Sequence, residues 1–432
     1  MAKTTDIGIN DHGNTMAEKI KWTDSQKQAI YLKGNVLVSA SAGSGKTAVL
    51  VERITYYIET GIPLDKMLIV VYNNQAAEEL RQKIGKKLLS LILESGDEKY
   101  RLAYDSLPFC KIGTLHAFCL STIRENFDFF EIEPSFDIAT DDELQTFYKR
   151  AFKKVVENRY NEKDELFDEM VGMFGSARTD EGLFNAVLKL YDIKEIMPNG
   201  DEFLLSLADG FSDFENNVYF DEIKNDVNRF LGVSIGNGLS DDDKVDKKFF
   251  ESGRLAELWR YMQEFKSDGS DKYADYLEKL YDVLSAVVGA KSVSDFSLAL
   301  SALATIGRWP RASKADDAVL ASEAKVLKDE LIKYFNAFSA FSDLEALRFS
   351  FKQNKTLVQK LVEVTLKFDE EVKKIKSRSN KVSFGDLEHM TLSLVNSKRG
   401  EAIKAGVELV YVDEYQDINR LQEELILKLA PV

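Results

Sequence analysis

The segment Ala40-Ser41-Ala42-Gly43-Ser44-Gly45-Lys46-Thr47 combines small residues with one lysine and one hydroxyl. Small side chains let backbone amides close around an anion, and a helix starting at the lysine adds the positive end of its dipole. Lys46 is placed to reach the outer phosphates of a nucleotide, and the Thr47 hydroxyl to ligate magnesium. The strict phosphate-loop pattern has glycine where this chain has Ala40. Such a loop needs a carboxylate at the end of a nearby strand to hold the metal and orient water. Asp413 and Glu414 supply a pair: Asp413 to bind magnesium through water, Glu414 to polarise the attacking water as general base. They follow Thr47 by some 366 residues, so only folding can bring the two together.

Those side chains need a framework. Val36-Leu37-Val38 reads as a strand ahead of the loop, and Val49, Leu50 and Ile54 as the apolar face of a helix behind it. Met67 to Tyr72 is a six-residue apolar run, and Lys111-Ile112-Gly113 introduces another helical pattern. Strand and helix in alternation over residues 36 to 130 predict an α/β fold with a parallel sheet. From Thr140 the pattern changes. Thr140 and Glu143 have capping-box spacing, and Leu144, Phe147, Tyr148, Ala151, Phe152, Val155 and Val156 recur at helical intervals. Helical patterns continue to about residue 376, with breaks at 197–200, 232–243 and 307–313. Glu408 to Val412 then reads as a strand, followed by the acidic pair and a helix through Leu421, Leu425 and Leu429. The expected organisation is a disordered leader over 1–19, a sheet domain over 20–139 and 377–432, and a large all-helical insertion over 140–376.

Composition limits the remaining choices. With 432 residues and 44% apolar content the chain can build more than one core. Its 27 Phe and 17 Tyr argue against wholesale disorder. Cys110 and Cys119 are too few for a disulfide framework or a four-cysteine metal site, and their expected role is packing. No apolar run is long enough to span a bilayer, and the start lacks the features of a secretory signal, with Met16 an alternative first residue. The expected compartment is a reducing cytoplasm, with no membrane partner. The net charge of −15 discourages a nucleic-acid partner at first sight. Residues 20–130, however, hold 14 Lys and Arg against 12 Asp and Glu, so the acidity belongs mostly to the other segments. Trp259 and Trp309 could stack on bases, but helix packing is the ordinary use of such rings.

The loop ASAGSGKT, the run DEYQD at 413–417 with Asn419 and Gln422 after it, and Gly113-Thr114-Leu115-His116-Ala117-Phe118 resemble, in order, motifs of superfamily 1 DNA helicases of the UvrD type. The resemblance implies a RecA-like P-loop NTPase domain, the first of two, using ATP and Mg2+. It makes Gln26 the reader of the adenine edge and Gln416 the sensor linking nucleotide state to DNA. Leu68 to Ile84 is similar to the family's single-strand contact motif, with Ala76, Ala77, Glu79 and Leu80 in register. Val71 and Asn73 stand where the family usually has threonines, while Tyr72 keeps the aromatic position and could stack on a base. Implied DNA contacts are Tyr72, Asn74, Thr114, His116 and Arg124. His116 has a plainer alternative as a capping or packed residue.

Within the family, KWTDSQKQAI, PFCKIGTLHAFCLSTIRENF, PSFDIATDDE and VSFGDLEHM look most like the AddA branch, the helicase–nuclease components of bacterial double-strand-break repair complexes. That resemblance implies three partners: single-stranded DNA, double-stranded DNA and a second, AddB-like helicase–nuclease component. No second set of motor motifs follows Gln422, so the expectation is an amino-terminal part of such an enzyme, unable to unwind DNA alone. The alternatives are a UvrD-like helicase without a nuclease, a non-catalytic helicase-derived binding module, and, against the DNA motifs, a small-molecule phosphoryl transferase.

Overall fold

The computed structural model describes residues 22–39, 43–130, 132–174, 180–233, 253–311 and 318–430. The leader expected over 1–19 lies outside these residues, as do Ala40, Ser41 and Ala42 of the phosphate loop. The chain divides into two compact units. One comprises residues up to Gln145, the short segment Glu195–Pro198 and Ile375 onward; the other comprises Thr146–Lys194 and Asn199–Lys374.

The first unit is built on a parallel three-stranded sheet. Strands β1 (Met67–Val70) and β2 (Lys111–Gly113) pair in register Ile69 to Ile112. A second, two-residue parallel ladder joins β3 (Asp137–Ile138) to β4 (Lys381–Val382). Strand β5 (Leu409–Val412) pairs with the other edge of β1, so β1 is central. All four residues of β1 are buried, as both faces of a covered parallel strand should be. Met67 and Ile69 pack on one face with Ile54, Ile84 and Leu88. Leu68 and Val70 pack on the other with Ile123, Leu387 and Leu425. The helices supplying those faces are α1 (Asp24–Tyr31), α2 (Lys46–Glu59), α3 (Asn74–Ser95), α4 (Glu98–Ser106) and α5 (Leu115–Glu125), joined by Phe384–Asn396 and Arg420–Leu429.

One expected strand is not formed. Val36-Leu37-Val38 carries no ladder, and Leu37 and Val38 are 80% and 47% exposed. A strand is defined by a hydrogen-bonded neighbour, and among the described residues this segment pairs with no strand of the β2-β1-β5 sheet. The run Met67 to Tyr72 is strand only to Val70, because Asn73 turns the chain into α3 by capping it, its Oδ1 accepting from Ala76 N at 2.7 Å.

In the second unit, every element among the described residues is helical. Its largest core lies among Arg254–Ser267, Asp271–Gly289, Val293–Leu303 and Ala318–Phe335, around Leu258, Phe265, Leu277, Leu284, Phe296 and Leu331. Trp259 and Trp309 pack against this core, Trp259 on Tyr281 at 5.0 Å and Trp309 on Tyr276 at 5.1 Å, so packing accounts for both rings. No helix among the described residues is long and apolar enough to cross a membrane.

Candidate functional site

Because the three strands run parallel, their carboxyl ends share one edge of the sheet, where open α/β folds place ligands. Val70 is in register with Gly113 on one side and Val412 on the other. Tyr72 and Asn74 follow β1, Thr114 and His116 follow β2, and Asp413 and Glu414 follow β5. The backbone stitches these turns together: Val71 N donates to Gly113 O at 3.0 Å and Asp413 N to Val70 O at 2.9 Å.

The glycine turn also reaches this edge. Gly43 and Gly45 take positive φ angles of 78° and 86°, and a Cβ on Gly43 would meet nothing. Gly45 caps α2 without a side-chain hydrogen bond, which leaves the first amides of that helix open to an anion. Gln26 Nε2 donates to Ser44 O at 3.2 Å, while its Oε1 accepts from Thr23 N at 2.9 Å in a capping box, so α1 and the loop are tied through one amide. Arg53 reinforces the tie by donating to Ala29 O and Ile30 O at the end of α1.

Lys46 Nζ lies 3.7 Å from Glu414 Oε1, which brings the lysine near the amino end of the chain to the acidic pair near its other end. Thr47 is exposed beside it. Glu414 occupies the left-handed region, with φ 54° and ψ 48°. Its carboxylate accepts from the Gln416 amide, and its backbone N–H donates to Asp413 Oδ1 at 3.1 Å. Gln416, and then Lys46, hold the Glu414 carboxyl below the usual carboxylate range. The helix beyond is set by a second capping box, in which Asn419 and Gln422 satisfy each other's amides.

The residues singled out as DNA contacts fall into two places. Tyr72 is 72% exposed at the end of β1, and Asn74 opens α3. Thr114 caps α5 through its Oγ1, which accepts from Ala117 N at 3.1 Å. His116 Nε2 lies 2.8 Å from Glu388 Oε1, and its ring packs tilted against Phe384 at 4.5 Å between centroids. Arg124 is not with them. It lies eight residues further along α5, roughly 12 Å at the helical rise, with its guanidinium over the Phe136 ring. Cys110 and Cys119 are buried, and burial pushes the Cys119 thiol up to about 12.

Sequence reading missed Glu388 and Phe384. A signal for Glu388 existed: it shares a face with Thr391, Leu392 and Val395, all buried, so it is a charge set on an apolar stripe.

A glycine turn ahead of α2, an acidic pair after β5 and a histidine–aromatic contact after β2, all at one edge of a parallel sheet, fit a RecA-like P-loop fold. The UvrD/REP helicase N-terminal domain family matches residues 22–432, and the chain belongs to that family. It is 30% identical, over 96% of its own length, to an ATP-dependent helicase/nuclease component, of the AddA type, from Ligilactobacillus salivarius (strain UCC118), covering 34% of that relative. Proteins of the same description from Clostridium beijerinckii (31% identical, 96% of this chain and 33% of the relative) and Enterococcus faecalis (28%, 94% and 32%) are similar to it as well. The chain spans about a third of the length of the curated relatives it matches. Membership implies ATP and a divalent metal, and the uncapped α2 start, the exposed Thr47 and the nearby carboxylates fit both.

Proposed function

We propose that this chain is the ATP-binding motor region of an AddA-like helicase–nuclease, a DNA-dependent ATP hydrolase serving double-strand-break repair in the cytoplasm. The observation that carries this reading is the pairing of Lys46 with Glu414 at the carboxyl edge of the sheet. Gly43, Ser44 and Gly45, with Ala40, Ser41 and Ala42, form the phosphate cradle, and Lys46 neutralises the outer phosphates. Gln26 holds the cradle through Ser44 and reads the base. Thr47 and Asp413 hold the metal, Glu414 takes the proton of the attacking water, and Gln416 orients Glu414. Mg2+ suits such a site, as an ion that keeps its waters and phosphate oxygens as ligands. The metal, when bound, neutralises charge developing on the phosphates.

Residues 20–139 and 377–432 form the motor domain in this reading, and 140–376 a helical insertion. Tyr72, Asn74, Thr114 and His116 meet a single DNA strand, and Arg124 contacts phosphate further along it. An AddB-like partner completes the assembly. The test is ATP hydrolysis by the full-length protein with and without oligo(dT). Turnover should rise with the strand, and Glu414→Gln should keep nucleotide binding while turnover falls ~100-fold or more. Normal hydrolysis by that variant would remove Glu414 from the base role.

A further inference from the structure

Glu388 is 3% exposed, and its Oε1 meets two partners: it lies 2.8 Å from His116 Nε2 and accepts from Gln422 Nε2 at 2.7 Å. The partners come from opposite sides of the sheet order. His116 sits in the first turn of α5, just past β2; Gln422 sits in the first turn of the helix that follows β5 and the acidic pair. Gln422 has no freedom left, because its Oε1 accepts from Asn419 N at 3.2 Å. His116 is confined as well, its ring packed against Phe384 with centroids 4.5 Å apart. Glu388 itself rides on an anchored helix. Two residues before it, Asp386 closes the capping box with Ser383 and binds Lys376 Nζ at 2.7 Å.

We propose that Glu388 is a positioning residue that couples the nucleotide site to the single-strand site by holding His116 and the start of helix Arg420–Leu429 on one oxygen. The inference rests on the motor reading above and adds to it a link between residues of three separate motifs. A buried carboxylate needs its partners, so displacement of either one changes the hold on the other. A shift of the acidic turn on nucleotide binding is thereby transmitted to His116, and DNA contact at His116 is transmitted back.

The test is ATP hydrolysis by the full-length protein, titrated with oligo(dT) at saturating ATP and with ATP both without DNA and at saturating oligo(dT). Glu388→Ala should raise the oligo(dT) concentration for half-maximal turnover ~10-fold and the KM for ATP at saturating oligo(dT) by a comparable factor, while the KM for ATP without DNA stays within about threefold of the parent. Glu388→Gln, whose Oε1 can keep both contacts, should stay within about threefold of the parent on every axis. A role in stability alone lowers the maximal rate with the folded fraction and leaves the half-saturation constants where they are. A KM for ATP that rises as much without DNA as with it, a Gln variant as impaired as the Ala variant, or an Ala variant with parental constants would overturn the proposal. Should the Ala variant not fold, Gln422→Met removes one donor and is expected to show the same pattern at smaller size; parental oligo(dT) dependence in that variant overturns it equally. Absence of any oligo(dT)-stimulated hydrolysis fails the function proposed above, whereas hydrolysis indifferent to residue 388 fails this inference alone.

Discussion

Glu414 is held in a left-handed conformation that disfavours a side chain by an energy of order 1–3 kcal/mol, and it sits where the acidic pair meets Lys46. Strain at such a position places a carboxylate where an ordinary turn would not. Glu414→Gly should relieve it, raising unfolding free energy by about 0.5–1 kcal/mol in a denaturant melt while turnover is lost. A melt in which the glycine variant is less stable than the parent would show that the Gln416 and Lys46 contacts outweigh the strain. Lys46, Thr47, Asp413 and Glu414 were legible in the sequence because each lies beside its element boundary, so chemistry and location are read together. Glu388 was not, since its partners are 272 and 34 residues away and a carboxylate between two leucine-rich turns has no meaning until they meet. Arg124 shows the converse. Its charge was legible and its distance was not: eight residues of helix separate it from His116, so any phosphate it meets lies further along the strand.

Elements are positioned by local devices as much as by the core. Buried Lys376 pairs with the half-buried Asp386, and Ser383 donates to the same carboxylate. Burial pushes the Asp386 carboxyl up, but Lys376 and Ser383 outweigh it and hold the group below the usual range. Its contribution to stability is therefore complete above the unfolded pKa of about 3.9 and is lost as pH falls through the lower folded value. Lys376→Ala leaves a buried charge alone and should destabilise by about 3 kcal/mol, with less of the loss visible in acid melts, where Asp386 is protonated in both proteins. An unchanged midpoint at neutral pH would show the pair to be neutral. At this scale the β1, β2 and β5 strands followed from apolar runs bounded by turn residues. Val36-Leu37-Val38 has the same composition and no ladder, because composition permits a strand and only a partner edge makes one. The two-residue β3–β4 ladder is too short to leave any periodicity.

At the scale of the whole molecule, the chain builds separate cores in two units, and the helical one is large enough to matter to folding. Phe296 is fully buried there against Phe220 and Phe341, so Phe296→Ala should lower stability by about 3–5 kcal/mol in a chemical melt. A loss under about 1 kcal/mol would mean that this core repacks freely. The first unit carries the central claim: residues near the two ends of the sequence make one nucleotide site through Lys46 and the acidic pair. Thermal unfolding of the purified protein with and without Mg2+ and a non-hydrolysable ATP analogue tests that claim most directly, because a ligand stabilises only the state that binds it. At about 100 times the dissociation constant the parent should gain about 2.7 kcal/mol, while Lys46→Ala should show little or no shift at the same concentration. Equal shifts for parent and variant, or none in the parent, would contradict the account.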